Sequence, residues 1–487
     1  MIQALLWLPL AVGLLCFAVP HRTVRAVPVA GALATLVLAI ILVAGFDPDS
    51  AGLQHPVDES WIPDLGVRYQ LGVDGISIFL VVLTALLWSA ATLYSTFHPP
   101  DRARTYFFML GLAETATLGA FLAQDLFLFV LFFDLMLIPF YFLIGAWGGR
   151  DRIAATIKMV VYTLVGSLLM LVAAIATAIL VSDQTGELSF SLANLQSNVL
   201  GEGSQDWIFW FFAAAFLVKM PAFLVHGWMP DAYRAAPIAV VAVLSGVLSK
   251  VGAYGFLRIV LPTYPDATLQ FQEVVMVIAL ASIIYGGVMA FTQTNVRLVA
   301  GFSSLSQLGF ITLGIFALRP DGADGAVLQM VNHGLVVAPT FLIIGILAAR
   351  AGTEDLREMG GLALRAPILA AMFLIVTLAT LAMPGSANFV GEFYILIGTF
   401  QSKLVFALIA SIGVALAAFY AIRLYQRTMH NRLPDGVESR EISIGDGFVL
   451  VPLVACIVAL ALHPGVILDR AEPSVEQALN PEVVAIK

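Results

Sequence analysis

The sequence predicts an all-α polytopic membrane protein of about 14 transmembrane helices, with inverted five-helix repeats and breaks in helices 7 and 12. Three observations carry that prediction. The chain of 487 residues is 60% hydrophobic and only 11% charged, with a mean hydropathy of +0.95, whereas a soluble chain would carry about a quarter charged residues. Apolar stretches of the ~20 residues that a bilayer requires recur along its length. Two of them are interrupted by proline beside an ionisable residue: Lys219-Met220-Pro221, and Met383-Pro384-Gly385-Ser386 ahead of Glu392.

The first stretch, near 2–20, has its positive charges after the apolar run, so it reads as a retained helix rather than a cleaved signal. A second follows near 26–46, then a polar, acidic connection over 47–72. The third and fourth lie near 73–95 and 105–122, and Gln124–Asp125 is a tight turn before the fifth, 124–147, which holds Asp134 in LFLFVLFFDLMLIPFYFLI. The sixth covers 158–181, and a second polar connection spans 182–206. The seventh, 207–227, holds Lys219 in FWFFAAAFLVKMPAFLV, and the eighth, 237–262, holds Lys250 in LSGVLSKVGAYGFL. The ninth to eleventh lie near 271–291, 296–317 and 325–350, the tenth with a polar stripe of Ser303, Ser304, Ser306 and Gln307, the eleventh with His333. The last three cover 366–400, 404–426 and 444–466.

Loop charges test this layout. With the first terminus outside, the inner set is His21–Arg25, Arg102, Arg104, Arg150, Arg152, Lys158, Arg234, Arg297, Arg350, Arg357, Arg365, Arg423, Arg427, Arg432 and Arg440. The outer set is Arg68, Arg258, Arg319, Lys403, Arg470 and Lys487, and only Lys219 and Lys250 remain within helices. Positive charge concentrates inside, so both termini are expected outside and the helix count even.

The two breaks fall five helices apart, in segments of opposite direction, which is the trace an inverted repeat leaves. The expected organisation is 1–95 for the N-terminal helices, 105–262 and 271–426 for the two repeats, and 427–487 for the last helix and tail. Carbonyls freed at a break are tolerated at membrane depth only where they line a protein-buried or watery cavity.

Four ionisable residues, Asp134, Lys219, Lys250 and Glu392, thus sit in lipid-depth sequence. Each costs roughly 2.5–3.5 kcal/mol there, on the order of 10 kcal/mol together, so they must be paired or hydrated. Movement of protons across a membrane is the functional reading. Asp134 is the expected partner of Lys219, a pair that loads and releases a proton as it closes and opens; a static clamp between helices is the alternative. Lys250 reads as a mid-membrane proton site, with snorkelling to an interface as the alternative; the glycines and serines around it also allow tight helix packing. His333 can relay protons near neutral pH or simply pack. Glu392 would hand the proton on, or bond backbone freed at Pro384. His226 reads as interfacial or structural, Asp231 and Arg234 as a cap and anchor, and the tenth-helix stripe either holds waters or bonds backbone.

Several classes are excluded. Cys16 and Cys456 form no CxxC pair or Cys/His cluster, so no iron–sulfur cluster is expected on this chain alone. No phosphate-binding glycine loop and no nucleic-acid signal is present.

The stretch KMPAFLVHGWMPDAYRAAPIAVVAVLSGVLSKVGAYGFLR, Lys219 to Arg258, resembles the signature of the proton-translocating antiporter-like membrane subunits of respiratory complex I and of Mrp cation/proton antiporters. FDLMLIPFYFLIGAWGG, LGVDGISIFL and MPGSANFVGEF match the same family, and the resemblance covers nearly the whole chain. It implies a fourteen-helix bundle with inverted five-helix repeats. Within the family, an acid in the twelfth helix resembles the M-type subunit, where L- and N-type subunits and antiporter homologues usually carry lysine.

The resemblance also assigns proton transfer to Asp134 in the fifth helix, Lys219 in the seventh, Lys250 in the eighth, His333 in the eleventh and Glu392 in the twelfth. Three departures stand out. Asp134 is one methylene shorter than the usual glutamate, Gln307 replaces a common histidine, and Tyr233 replaces a histidine after the PDA motif. The implied setting is a bacterial inner-membrane complex that oxidises NADH and reduces quinone. NADH, FMN, iron–sulfur clusters and quinone are expected in partner subunits, with no cofactor on this chain, and the expected neighbours are L-type and N-type subunits and lipid. An Mrp-type Na⁺/H⁺ antiporter subunit, a membrane-bound hydrogenase or formate-oxidising relative, and a pumping-inactive scaffold are the alternatives.

Overall fold

Apolar runs of this length leave helix as the only open structure that satisfies every backbone group in lipid, and helices are what form. The computed structural model describes residues 1–20, 23–432 and 440–479; the predicted loop charges His21 and Arg22 and the tail charge Lys487 lie outside the described residues. Among the described residues, eleven helices are long and apolar enough to cross a membrane, including Leu126–Trp147, Arg152–Thr185, Ile238–Thr263, Val296–Phe316 and Pro320–Ala351. The first predicted span is the shorter apolar helix Ile2–Ala18.

Both predicted breaks are present. Helix Glu202–Lys219 stops at Lys219, and Met220 is extended (φ −92°, ψ 93°) ahead of Pro221. The twelfth span divides into Pro367–Thr380 and Ala387–Ser402, with Gly385 at φ 91° between them. Backbone groups near the breaks find partners inside the protein: the Val218 carbonyl accepts from Trp228 Nε1 at 3.0 Å, and the Ala387 carbonyl accepts from Asn332 Nδ2 at 2.7 Å.

The connections gather on two faces. On one, Gly149 N donates to the Ala235 carbonyl, Val296 N to Glu354 and Ala363 N to Met429, which brings the arginine-rich loops together. On the other, Gln124 N donates to Gln70, Leu126 N to Phe190, and Gly75 N to Ser474 Oγ. The predicted turn at Gln124–Asp125 belongs to this second face. Asp125 Oδ1 accepts from Leu128 N at 3.0 Å and its Oδ2 from Arg68 N at 3.1 Å, so the carboxylate caps the fifth helix.

Two elements depart from the expected layout. The 47–72 connection contains an antiparallel hairpin, Gln54–Ile62 paired with Val67–Val73. Its turn needs Gly66 at φ 64°, where a Cβ would also overlap the Leu188 carbonyl. Beyond the last span, Ile444–Leu462, an amphipathic helix Gly465–Ala478 folds against the hairpin face.

Helix Ile238–Thr263 is buried on all sides. Its winding widens to π turns at Leu244–Leu248 and Phe256–Val260, either side of Lys250, an irregularity frequent at functional sites. A Cβ on Gly252 would strike the Phe216 carbonyl and one on Gly255 the Phe216 ring, so these glycines let this helix lie against Glu202–Lys219. The loop tally put Arg258 outside the helices; the structure holds it within this one, its side chain 15% exposed and facing Asp74. Buried acids are also more numerous than the four ionisable residues singled out: Glu114 and Asp324 sit inside helices Ala103–Leu122 and Pro320–Ala351.

Candidate proton path

Lys250 and His333, 83 residues apart, meet in the interior. The Lys250 ammonium donates to the Ser245 carbonyl at 2.6 Å, lies 3.2 Å from Ser249 Oγ and 2.8 Å from His333 Nδ1. The Ser245 carbonyl lies in the π turn Leu244–Leu248 just ahead of Lys250 and also accepts from Ser249 Oγ at 2.9 Å. Lys250 is 0% and His333 3% exposed, so the pair exchanges no proton with bulk water directly. A charged Lys250 has only donors, so Nδ1 accepts and the imidazole proton resides on Nε2. Passing one proton from Nζ to Nδ1 then requires no movement of heavy atoms.

Lys219 lies beside this helix but bonds elsewhere. Its ammonium donates to the Phe133 carbonyl at 3.3 Å and sits over the Phe133 ring, 4.4 Å from the centroid. The expected Asp134–Lys219 ion pair is absent from the pairs closer than 4.0 Å among the described residues. Asp134 instead faces Ser167 and feels Lys219 only through space. The shorter side chain accounts for the gap. Pro139 also interrupts the ladder there, dividing the fifth span into Leu126–Leu135 and Leu137–Trp147.

Glu392 is held from the tenth helix. Gln307 Nε2 donates to Glu392 Oε1 at 2.7 Å, and Gln307 Oε1 accepts from Gln329 Nε2 at 2.7 Å. Glu392 Oε2 and Gln329 Oε1 are buried without a hydrogen-bond partner. A Cβ at Gly391 would overlap Gln329 Oε1, so glycine there admits the close helix contact. Gln307 of this triad and His333 both line a cavity, together with Asn388, Ser303, Tyr420 and Thr340. It has about 20 Å³ of room for water centres, above the ~10–15 Å³ that one water needs. Both side-chain polar atoms of Asn388 are buried and unpartnered, as groups serving a water would be.

The remaining expected residues divide. Ser303 donates to Tyr420 Oη at 3.0 Å and lines the cavity, and Ser304 meets Ser245 at 3.0 Å, beside the Lys250 site. Ser306 donates to the Ile283 carbonyl and so bonds backbone. Tyr233 presents a buried hydroxyl toward Ser245 without a well-aligned hydrogen bond. His226 packs between Phe223, Tyr285 and Phe302. Asp231 pairs with Lys158 at 2.8 Å, an anchor at the helix end. Sequence reasoning passed over Gln329, Asn388 and Tyr420, which are uncharged. It also passed over Glu114, whose Oε1 is buried and unpartnered in the small, polar ETAT run. Among the described residues, no group of three or more His, Cys, Asp and Glu is arranged to hold a metal ion.

Residues 123–417 match a family model described as NADH:quinone oxidoreductase/Mrp antiporter, TM. A NADH-quinone oxidoreductase subunit M of Rhodobacter capsulatus is 37% identical over 463 residues, covering 93% of this chain and 90% of the relative. A chain of respiratory complex I from Thermus thermophilus with bound NADH superposes with a TM-score of 0.90 at 29% identity, over 99% of this chain and 100% of that one. A chain of the Mrp complex from Dietzia sp. DQ12-45-1b gives a TM-score of 0.86 over 99% and 98% of the two chains; at 22% identity it shows a shared fold.

Proposed function

Because this chain belongs to the NADH:quinone oxidoreductase/Mrp antiporter transmembrane family, we propose that it is the M-type membrane subunit of a bacterial NADH:quinone oxidoreductase and carries protons across the membrane. NADH oxidation, flavin and iron–sulfur electron transfer, and quinone reduction belong to partner subunits, with L-type and N-type subunits as its neighbours. Positive-inside charge puts the arginine-rich face in the cytoplasm and the hairpin face, with both termini, outside. The two five-helix repeats are 105–262 and 271–426.

The observation that carries this reading is the Lys250–His333 contact, two bases sharing one buried proton position at 2.8 Å. Asp134 approaching Lys219 stabilises the ammonium there; its withdrawal favours release of that proton toward Lys250. Lys250 Nζ passes a proton to His333 Nδ1, water in the Asn388 cavity takes up the proton from Nε2, and the Gln307–Gln329 amides orient that water toward Glu392. The free Glu392 Oε2 is the acceptor. Electron transfer elsewhere in the complex supplies the change that moves Asp134.

Lys219→Met in the assembled complex, reconstituted in proteoliposomes, tests the reading. The proton-to-electron ratio is expected to fall while the complex assembles and still oxidises NADH. A normal ratio rejects the role of Lys219. Sodium-dependent proton exchange insensitive to NADH and quinone would instead favour an Mrp-type subunit.

A further inference from the structure

The Lys250 helix continues toward the hairpin face with Tyr254 and Arg258 one and two turns on, at the i+4 and i+8 positions of the same face. Arg258 Nη2 donates to Gln124 Oε1 at 2.8 Å, and its Nε lies 3.3 Å from Asp74 Oδ2. Asp74 is itself fixed, its Oδ1 accepting from Ile76 N at 3.1 Å and Ser77 N at 2.8 Å at the start of helix Ile78–Phe97. Arg258 and Gln124 form the floor of a crevice of about 370 Å³ that opens at the hairpin face beside Gln196 and Gln477. Below that floor the Tyr254 hydroxyl, beside Gln124 and Arg258, donates to the Phe121 carbonyl at 3.3 Å. Arg258 and Tyr254 thus stand one after the other on this helix between the crevice and Lys250.

We propose that Arg258, clamped by Asp74 and Gln124, is a seal that stops protons in the outer crevice from running back to Lys250. The proposal rests on the reading of Lys250 as a proton site. A guanidinium is always charged and presents only donors, so a hydrogen-bonded wire that reaches it finds no acceptor and ends. A fixed arginine cation at a constriction is also a barrier to protons and cations. With two helical turns, ~12 Å, between Arg258 and Lys250, an uncompensated charge would change the population of an excess proton at Lys250 by about tenfold at an effective dielectric constant near 20; the Asp74 carboxylate beside the guanidinium cancels part of that field, which makes tenfold an upper bound.

The test is proton leak in proteoliposomes holding the assembled complex, with an imposed pH gradient, an entrapped pH dye and no NADH. Arg258→Gln supplies an acceptor in place of a cation and is expected to raise the leak by up to about tenfold, whereas Arg258→Lys keeps a cation beside Asp74 and is expected to raise it less, because lysine, unlike arginine, can give up its proton. Asp74→Asn, isosteric, frees the guanidinium to leave the constriction and is also expected to raise the leak, but less than Arg258→Gln because the cation itself remains. Adding Lys250→Met to Arg258→Gln is expected to remove the extra leak. Parent-like leak in both Arg258→Gln and Asp74→Asn, equal leak in Arg258→Gln and Arg258→Lys, or leak that persists without Lys250 each overturn the seal. A normal pumping ratio in Lys219→Met would overturn the relay reading instead and leaves the leak comparison readable.

Discussion

Lys250 Nζ and His333 Nδ1 lie 2.8 Å apart with both side chains buried, and the same ammonium holds the Ser245 carbonyl at 2.6 Å. The two residues therefore act as one site for one proton. Removing either partner leaves the other with no proton to receive or to give. Lys250→Met and His333→Ala are each expected to lower the proton-to-electron ratio of the reconstituted complex, and the double variant to lose no more than the worse single one. Losses that add would show two independent sites.

Lys219 meets the Phe133 carbonyl rather than Asp134, so the state described is one in which acid and amine are apart. Asp134→Glu adds one methylene, ~1.5 Å of reach, and is expected to retain pumping because closing the pair then needs less backbone movement. Asp134→Asn removes the charge without changing the shape, and pumping is expected to fall. Proton-to-electron ratios of the two variants, read with the NADH oxidation rate as the assembly control, check both. Equal ratios would show that the charge of Asp134 plays no part.

What the sequence disclosed followed from short-range physics. Spans are legible because ~20 apolar residues leave the backbone only helix, and the breaks because Pro221 and Pro384 cannot continue one. Lys250 and Glu392 stood out because charge is costly in apolar context. Their partners did not stand out. His333 is 83 residues from Lys250 and Gln307 is 85 from Glu392, and no periodicity encodes which helices become neighbours. Gln329 and Asn388 gave no signal because neutral amides are ordinary in any helix. The hairpin hid because its first strand, QHPVDESWI, reads as a polar loop. The Asp134–Lys219 pairing was expected from charge alone, and the geometry of a short acid beside Pro139 decided otherwise.

Gln307 is expected to matter for stability as well as for transfer. Its amide serves Glu392 Oε1 and Gln329 Nε2 together, at 2.7 Å each. Gln307→Leu leaves a buried carboxylate oxygen and a buried amide N–H unpartnered, a loss of about 1–3 kcal/mol for each. The unfolding midpoint of the purified complex or its isolated membrane arm is expected to drop, with the pumping ratio falling alongside it. Gln307→His restores a donor toward Glu392 and is expected to recover part of both. A Leu variant as stable as the parent would show that the triad is not the anchor of Glu392.

Glu441 gives a prediction in pH. Its carboxylate accepts from Ile368 N at 2.8 Å, Leu369 N at 3.1 Å and Ile442 N at 2.9 Å, and so caps helix Pro367–Thr380 from a distant loop. Partial burial pushes this carboxyl up, but the backbone donors and Arg350 together outweigh burial and hold it below the ordinary glutamate value. A carboxyl lowered by folding stabilises the fold above its unfolded pKa, ~4.3. That contribution disappears as pH falls through the lower folded value. Glu441→Gln is expected to cost roughly 0.5–1 kcal/mol at neutral pH, the low end for a cap because the group is partly solvated. Between about pH 5 and 3 the parent should lose stability that the variant has already lost, so their melting temperatures converge. The helix lines the Asn388 cavity through Phe373 and Thr377, so loosening its first turn is expected to slow proton transfer from His333 without touching a titratable group on the path. Melting curves that stay parallel down to pH 3 would show that Glu441 is not the cap.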